Sequence, residues 1–382
     1  METIKGFRDI IGIDALKRER IKEILIKNFK LYGFEPAETP IIEAEEFVKA
    51  DNTSEVISDI YRLQDKGQRK LALRYELTFQ LKRLAQNKKL PFKRYQLGEI
   101  FRDEPVSSNR FRQFTQCDVD IIGSNIKDEA EILSLTKKVF EDLKIDCVIY
   151  VNNRKLLNEI LDKNDIKENK AEVIKEIDKL DKLDEKEIKE NLKKYKAEKI
   201  LDIFKKPESY FKTFDSYKEI EELKKYCEFY NVEVKFLPSL ARGLSYYNGT
   251  IFEIKTKAMK ETICAGGSYL INNIQSSGIS FGLDRIGSIA QVDVDEKKVL
   301  IISLEQDKNS IELVKKLRKN FVSVDIMFGK VSKALEFANS YNIPYVVFIG
   351  SEEIKKKKYK LRDMKLGKET YLNEKDLIKK LL

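Results

Sequence analysis

The chain has 382 residues, 42% of them hydrophobic and 36% charged, which is enough for two or three domains with a substantial core. It contains no histidine, which excludes imidazole general bases, histidine-centred triads and histidine metal ligands. No apolar run is long enough to span a membrane, and the start METIKGFRDI lacks the apolar core of a signal peptide. The four cysteines form no CxxC pair, so we expect a cytoplasmic protein without a zinc or disulfide framework.

The net charge of +9 lies in the last part of the chain. Residues 297–382 hold 20 Lys and Arg but 11 Asp and Glu, whereas basic and acidic residues balance in residues 1–296. Such a segment suits a polyanion such as RNA. A lysine-rich solvated surface is the open alternative, and for the run Lys355–Lys358 taken alone a solvated loop is the favoured interpretation.

Hydrophobic periodicity predicts the elements of the first half. Apolar residues recur at helical spacing over residues 14–31, and a segment with Pro36 and Pro40 follows that is typical of extended, partly exposed chain. The next predicted elements are strands over 93–101 and 111–122, joined by the turn PVSSN, and a helix near 128–143.

In the second half of the chain, the composition and the predicted secondary structure change twice. Residues 154–230 are rich in Lys and Glu with apolar residues at helical spacing, which predicts a helical insertion. Strand patterns return at Val232–Phe236 and Thr250–Lys255 and continue through CAGGSYL and SGISFGLDRIGSIA. Residues 297–382 alternate apolar strands (VLIISL, VSVDIMF, YVVFIG) with helices, which predicts a separate α/β unit with a mainly parallel or mixed sheet.

The stretch FRDEPVSSNRFRQFTQCDVDIIG is the most informative chemically. Arg102, Arg110 and Arg112 lie at one predicted hairpin and suit a polyphosphate, because each guanidinium offers planar, permanently charged, forked donors. Asp118 and Asp120, a strand's length away, suit a second substrate that is polar or cationic. The pattern favours a site for ATP and another ligand.

Together these motifs resemble the class II aminoacyl-tRNA synthetases, and specifically the histidyl-tRNA synthetase family, over nearly the whole chain. KGFRDI is similar to that family's N-terminal signature, YGFEPAETPIIE to motif 1, LRYELT to its LRYDLT-type segment, the stretch quoted above to motif 2 and SGISFGLDR to motif 3. ARGLSYYNGTIFE and CAGGSY resemble two histidine-specific signatures, and LRDMKLGKET lies in what resembles an anticodon-binding domain. ARGLSYYNGT is the specific signal, because among class II enzymes it resembles only the histidine family.

The resemblance implies an α+β fold. Its catalytic domain, an antiparallel sheet flanked by helices, would comprise residues 1–153 and 232–292. A helical insertion would occupy 154–231, and a C-terminal α/β anticodon-binding domain would occupy 297–382. Pro40 of motif 1 would lie in the interface of a homodimer.

The resemblance assigns five residues to ATP: Arg102 (α-phosphate), Glu104 (adenine amino group), Phe114 (adenine stacking), and Arg110 and Arg285 (γ-phosphate). Arg242 would lie by the α-phosphate and the substrate carboxylate and, with Arg102, would act catalytically by stabilising negative charge. Adenylate formation is an in-line attack on phosphorus, so this catalysis consists of positioning and charge neutralisation. Mg²⁺ would accompany ATP, and no metal site formed by the protein is expected.

The resemblance assigns seven residues to histidine: Glu76 and Thr78 (ammonium), Asp120, Tyr247 and Tyr269 (ring nitrogens), Gln116 (nearby contact) and Arg242 (carboxylate). A buried site that pairs both ring nitrogens rejects amino acids that lack them, because its own polar groups would be left unpaired.

The implied activity is the ATP-dependent joining of histidine to the 3′ end of tRNA(His) through histidyl-adenylate. Three departures from the family pattern keep other interpretations open: Ser245 replaces an acid in RGLDYY, and Ser268 and Leu270 replace an arginine and an acid in AGGRYD. Because a basic and an acidic residue are lost together at positions 268 and 270, the change suggests that a structural ion pair has been replaced. The alternatives are a non-catalytic paralogue, like the histidine-sensing regulatory subunit of ATP phosphoribosyltransferase, and an RNA-binding stress sensor with an inactive synthetase fold.

Overall fold

The computed structural model describes residues 2–50, 57–107, 110–181, 183–242, 246–294 and 298–382. The chain divides into two compact units, Met1–Asp293 and Val294–Leu382. In the described part of the chain, no helix is long and apolar enough to cross a membrane.

The first unit contains a large sheet and a small one. Its strands, in chain order, are β1 (Glu35–Pro36), β2 (Ile42–Ala44), β3 (Arg62–Gln64), β4 (Lys70–Leu73), β5 (Phe92–Phe101), β6 (Gln113–Ile122), β7 (Val148–Asn153), β8 (Val234–Phe236), β9 (Tyr247–Thr256), β10 (Met259–Ile271) and β11 (Ile274–Gly282). Among the described residues, eight strands pair in the order β1-β5-β6-β11-β10-β9-β7-β8, and β2, β4 and β3 form a small antiparallel sheet. The large sheet is antiparallel except at its two edge pairs, β1–β5 and β7–β8, which are parallel.

Helices accompany this sheet throughout the unit. They are α1 (Gly12–Leu31), α2 (Glu45–Lys49), α3 (Leu81–Leu84), α4 (Ile126–Asp142), α5 (Arg154–Lys163), α6 (Lys170–Ile177), α7 (Glu185–Lys193), α8 (Ile200–Phe204), α9 (Glu208–Phe211), α10 (Tyr217–Phe229) and α11 (Leu283–Ile289). The helices predicted over 14–31, near 128–143 and through 154–230 are therefore confirmed. The division of this unit into a catalytic part and a helical insertion stays a prediction.

One face of the large sheet carries the hydrophobic core. Phe29 of α1 and Phe140 of α4 both pack on Phe281 of β11, with ring centres 5.6 and 5.9 Å apart. The residues at alternate positions of β6, Cys117, Val119 and Ile121, are fully buried in the same core. Because side chains alternate along a strand, the residues between them point to the opposite face.

The hairpin of β10 and β11 turns tightly at Asn272 and Asn273. Their φ values of 50° and 62° are both left-handed, as a two-residue type I′ turn requires, and asparagine tolerates this conformation. Ile271 and Ile274 pair directly across the turn. The segment that includes the altered CAGGSYL motif is therefore paired in the sheet, regularly with β11 and with a register shift against β9 between Gly267 and Tyr269.

The second unit is a five-stranded mixed sheet with helices. Its elements are β12 (Lys298–Ser303), α12 (Asp307–Lys319), β13 (Ser323–Phe328), α13 (Val331–Ser340), β14 (Tyr345–Ile349), α14 (Ser351–Lys356), β15 (Tyr359–Asp363), β16 (Glu369–Leu372) and α15 (Glu374–Leu381). The described strands pair in the order β13-β12-β14-β15-β16, parallel among the first three and antiparallel thereafter. The predicted α/β alternation is confirmed. The run Lys355–Lys358 is exposed, but it begins in the last turn of α14 and not in a loop.

Candidate active site

The polar residues predicted to bind ligands lie on the face of the large sheet opposite the core. Register pairs Arg94 of β5 with Asp120 of β6, and Asp120 with Gly278 of β11. The next pair on this face is Gln96 and Asp118, because residues two apart in a strand point the same way. The predicted hairpin of two strands is thus confirmed, and its register arranges the polar side chains in rows.

Three buried carboxylates gather at one end of this face. Glu76, Asp118 and Asp120 are 5%, 4% and 3% exposed, and the fully buried Arg94 lies among them. One guanidinium nitrogen of Arg94, Nη2, lies 2.9 Å from Asp120 Oδ2 and donates to the carbonyl of Leu77 at 2.6 Å. Arg94 thereby holds the segment that carries Glu76 against β6.

Burial changes the protonation of these acids. It raises the pKa of Glu76 to about 8, against the lesser lowering effect of Arg102. It raises the pKa of Asp118 to about 7, assisted by the neighbouring charge of Asp120. Buried charges without a partner are costly, so this end of the face suits a ligand that brings a positive charge.

Tyrosines form a wall beside the acids. The ring of Tyr246 lies 4.7 Å from that of Tyr247 and 5.5 Å from that of Tyr269. The hydroxyl of Tyr269 donates to Oδ1 of Asp120, and burial keeps the pKa of Tyr269 well above its usual range. A side chain at Gly278 would collide with both Asp120 and Tyr269, so glycine is required for this contact.

Arginines occupy the other end of the face. The Arg102 guanidinium stacks over Tyr75 at 4.2 Å and lies 5.3 Å from the ring centre of Phe114. Glu104 forms an ion pair with Arg110 at 3.1 Å, and its carboxylate lies 3.9 Å from the guanidinium of Arg102. The predicted ATP residues of the hairpin are therefore in mutual contact.

Arg285 lies within electrostatic range of the other arginines. It donates to the carbonyl of Thr262 at 2.7 Å. Burial lowers the pKa of Arg285, and the charges of Arg110, Arg102 and Arg242 lower it further. Four guanidiniums with few counter-charges suit a polyphosphate.

Arg242 is held by a buried acid. Its Nη1 lies 2.7 Å from Oε1 of Glu253 on β9, a residue 4% exposed. Its Nε is buried without a partner in the described part of the chain. Ser245, three residues further on, lies outside the described residues.

The remaining predicted residues fall in different places. Gln116 is on the polar face of β6, and Thr78 is half-buried two residues from Glu76. Pro40 is exposed between β1 and β2, on a segment tied to the sheet through Thr39. The hairpin tip closes with backbone hydrogen bonds between Ser107 and Arg110, whereas Ser108 and Asn109 lie outside the described residues.

The two described departures from the family pattern lie away from the polar face. Ser268 is 2% exposed and donates to Oε1 of Glu129 on α4 at 2.7 Å. It points opposite to its neighbour Tyr269, as alternation in a strand demands. Leu270 is about half exposed. These positions support the interpretation that Ser268 and Leu270 replace an ion pair that served the fold and not the ligand site.

Sequence reasoning missed Arg94 and Glu253 and gave Asp118 no specific role. A usable signal was present, since Arg94 and Gln96 alternate in one strand as Asp118 and Asp120 do in the next. A buried arginine on a strand beside two alternating acids indicates a shared polar face.

The sheet, the arginine-rich hairpin and the attached α/β unit together define an aminoacyl-tRNA synthetase. A family profile described as "Histidyl-tRNA synthetase" matches residues 6–286, and one described as "Anticodon binding domain" matches residues 298–382. "Histidine--tRNA ligase 1" of Bacillus cereus is 34% identical over 411 residues, which cover 97% of this chain and 94% of that protein. This chain belongs to the histidyl-tRNA synthetase family.

Solved structures agree with this assignment. The histidyl-tRNA synthetase from Nostoc sp. PCC 7120 matches with a TM-score of 0.86 at 25% identity, over 100% of this chain and 98% of that one. An ATP phosphoribosyltransferase regulatory subunit/histidyl-tRNA synthetase from Bacillus halodurans matches with a TM-score of 0.76 at 19% identity, over 88% of this chain and 96% of that one. The second likeness concerns the fold alone.

Proposed function

We propose that this chain is a histidine–tRNA ligase. It joins histidine to ATP as histidyl-adenylate, releases pyrophosphate and passes the histidyl group to the 3′ end of tRNA(His). The observation that carries this proposal is that three buried acids share the fully buried guanidinium of Arg94, whereas four arginines near the same sheet face share the acidic partners Glu104 and Glu253. A zwitterionic amino acid and a polyphosphate together satisfy both ends.

The arginine end binds ATP. Arg102 contacts the α-phosphate, Arg110 and Arg285 hold the γ-phosphate, Glu104 accepts the adenine amino group and Phe114 stacks on the base. The contacts among Arg102, Glu104 and Phe114 in the free protein support this assignment, because they gather these side chains before the nucleotide arrives.

Arg242 acts at the reaction centre. With Arg102, it stabilises the charge that develops as the histidine carboxylate attacks the α-phosphorus. Its ion pair with Glu253 fixes the guanidinium, and the unpartnered Nε leaves a donor for substrate.

The acid end binds histidine. Glu76 and Thr78 hold the ammonium, Gln116 contacts the ligand nearby, and Asp120 with Tyr247 and Tyr269 pairs the ring nitrogens. An amino acid without those nitrogens would leave buried polar groups unpaired, which is the basis of selection.

Mg²⁺ enters with ATP as part of the nucleotide substrate. In the residues that the structure describes, no group of three or more Asp, Glu or Cys side chains could hold a metal ion. The chain lacks histidine, so proton removal in the transfer step falls to substrate phosphate oxygens or a nearby carboxylate.

The enzyme works as a cytoplasmic homodimer. Pro40 lies beside the exposed apolar side chains of Ile41 and Ile42, which are 42% and 49% exposed and support an interface there. The four cysteines are free thiols, as in a reducing compartment.

One experiment separates the candidate functions. Purified protein is tested for histidine-dependent ATP–pyrophosphate exchange and then for charging of tRNA(His). Both activities are expected. Histidine binding without exchange would instead favour the regulatory paralogue, and tRNA binding with neither would favour the inactive RNA-binding protein.

A further inference from the structure

Several buried oxygen atoms on the polar face have no hydrogen-bond partner among the described residues. They belong to Glu76 (Oε1), Gln96 (Oε1), Gln116 (Oε1), Asp118 (Oδ1) and Asp120 (Oδ2), of which the last lies 2.9 Å from Arg94. Buried polar atoms are almost always paired in a native protein, so each of these is a candidate ligand contact.

We propose that Asp118 is a further substrate-binding residue, which completes with Glu76 and Gln116 a set of three unpartnered acceptors for the α-ammonium of the amino acid, in addition to the hydroxyl of Thr78. This inference rests on the proposed function. An ammonium group has three N–H donors and no acceptor, so it matches three converging oxygens.

Strand register and a charge interaction place these three side chains near one another. Gln116 and Asp118 are consecutive residues on the same face of β6, about 7 Å apart along the strand. Glu76 lies close enough that the charge of Asp118 raises its pKa. An ammonium between them contacts two carboxylates and one amide oxygen.

Asp118 differs from Asp120 in what its oxygens already contact. Asp120 accepts from Tyr269 at one oxygen, and its other oxygen lies 2.9 Å from Arg94. Asp118 is hydrogen-bonded to Ser280, and its Oδ1 remains unpartnered. Asp118 therefore has an oxygen without a contact in the described part of the chain, whereas each oxygen of Asp120 already has one.

The balance of charges at the acid end also supports a role for Asp118 in binding the ammonium. Within the described residues, the fully buried guanidinium of Arg94 is the one that lies among Glu76, Asp118 and Asp120. The charges of Arg74 and of the partly exposed Arg102 also act on these acids, but not enough to outweigh burial, which raises the pKa of Glu76 and of Asp118. An ammonium supplies the missing positive charge. The competing role for Asp118 is structural, as a charge partner of Arg94, whose Nε and Nη1 are also unpartnered.

The test compares ligands that differ in one group. Dissociation constants are measured for histidine, for histidinol, which lacks the carboxylate, and for imidazolepropionate, which lacks the ammonium. Asp118→Asn should weaken histidine and histidinol binding at least about 10-fold, as loss of a charged hydrogen bond implies, and leave imidazolepropionate within about twofold.

Other outcomes overturn the inference. Equal weakening of all three ligands means that Asp118 acts through Arg94 or the fold, and no weakening means that it does not touch the substrate. Asp118→Ser, which cannot clash or carry charge, must reproduce the pattern if the asparagine variant misfolds. Asp142→Asn, at an acid bonded to Asn28 on the core side, is the matched control and should change nothing.

Failure of the proposed function would look different. In that case the wild-type protein would not bind histidine, and histidine would not drive pyrophosphate exchange. Binding and exchange by the wild type, with no ligand-selective loss in the Asp118 variants, would reject only the role of Asp118.

Discussion

The two ends of the polar sheet face differ in their exposure to water. Glu76, Asp118 and Asp120 at the acid end are at most 5% exposed, whereas the Arg102 and Arg110 side chains are 22% and 45% exposed. A ligand bound at the acid end would therefore lose its hydration water, whereas a ligand bound at the arginine end would stay partly hydrated.

This difference separates selectivity from chemistry. Under the proposed function, the acid end would discriminate between amino acids, because unpaired groups are costly where water is excluded. Guanidiniums that water can reach gain less from each ion pair, but under the same proposal they would lie where phosphate charge develops. Substitutions at the two ends should accordingly fail in different ways.

The largest expected effect is at the arginine end. Arg242→Ala should lower the rate of pyrophosphate exchange by about 1,000-fold, because a preorganised charge is lost at the reacting phosphorus. The loss should appear in kcat more than in the KM for histidine. Arg20→Ala, at an exposed arginine paired with Glu23, is the control and should leave the rate unchanged. Exchange near the wild-type rate in the Arg242 variant would show that this arginine is not catalytic.

At the acid end, the main expected effect of a substitution is a loss of stability of the fold. Arg94→Met removes the guanidinium from among three buried carboxylates, so we expect the free energy of unfolding to fall by about 3–5 kcal/mol. Adding Asp120→Asn should recover part of this loss, because one unpaired charge is removed. Urea denaturation of the single and double variants measures both effects. A fall below 1 kcal/mol would mean that Arg94 is not the main counter-charge.

The pH dependence of stability should also come from the acid end. Since burial raises the pKa of Glu76 from 4.5 to about 8, its contribution to stability is fully present below pH 4.5 and is lost as pH rises to 8. Glu76→Gln should flatten the stability profile over that window, at about 1.4 kcal/mol per unit of pKa difference. Saturating histidinol should flatten the wild-type profile as well, because its ammonium stabilises the ionised acid. Parallel profiles for the variant and the wild type would exclude Glu76 as the source.

Much of the arginine end was predictable from the sequence. Arg102, Glu104, Arg110 and Phe114 lie within one hairpin, so their proximity follows from the turn that joins the two strands. The apolar strands and helices of residues 298–382 were equally clear, because their patterns are local.

The acid end depends on contacts between distant segments. The pairing of Arg94 with Asp120 requires the register of β5 against β6, which a sequence does not reveal. The raised pKa of Glu76 requires burial by other segments of the unit. The contact of Arg242 with Glu253 depends likewise on where Arg242 lies relative to β9, which local sequence does not reveal.

The smallest expected effect tests whether the altered CAGGSYL motif matters to either end. Ser268→Ala removes a donor to the buried Glu129, whose pKa burial already raises. We expect a loss of about 1 kcal/mol in the free energy of unfolding, because the buried acceptor loses its shorter hydrogen bond and keeps the one from Ser277. Ser340→Ala, at an exposed serine bonded to its own helix, should cost less than 0.5 kcal/mol. Because Ser268 points away from Tyr269, the KM for histidine and the exchange rate should not change. A change in KM as large as that of a substitution at the acid end would mean that the two faces of the sheet are coupled, and that the exchange of arginine for serine alters the site as well as the fold.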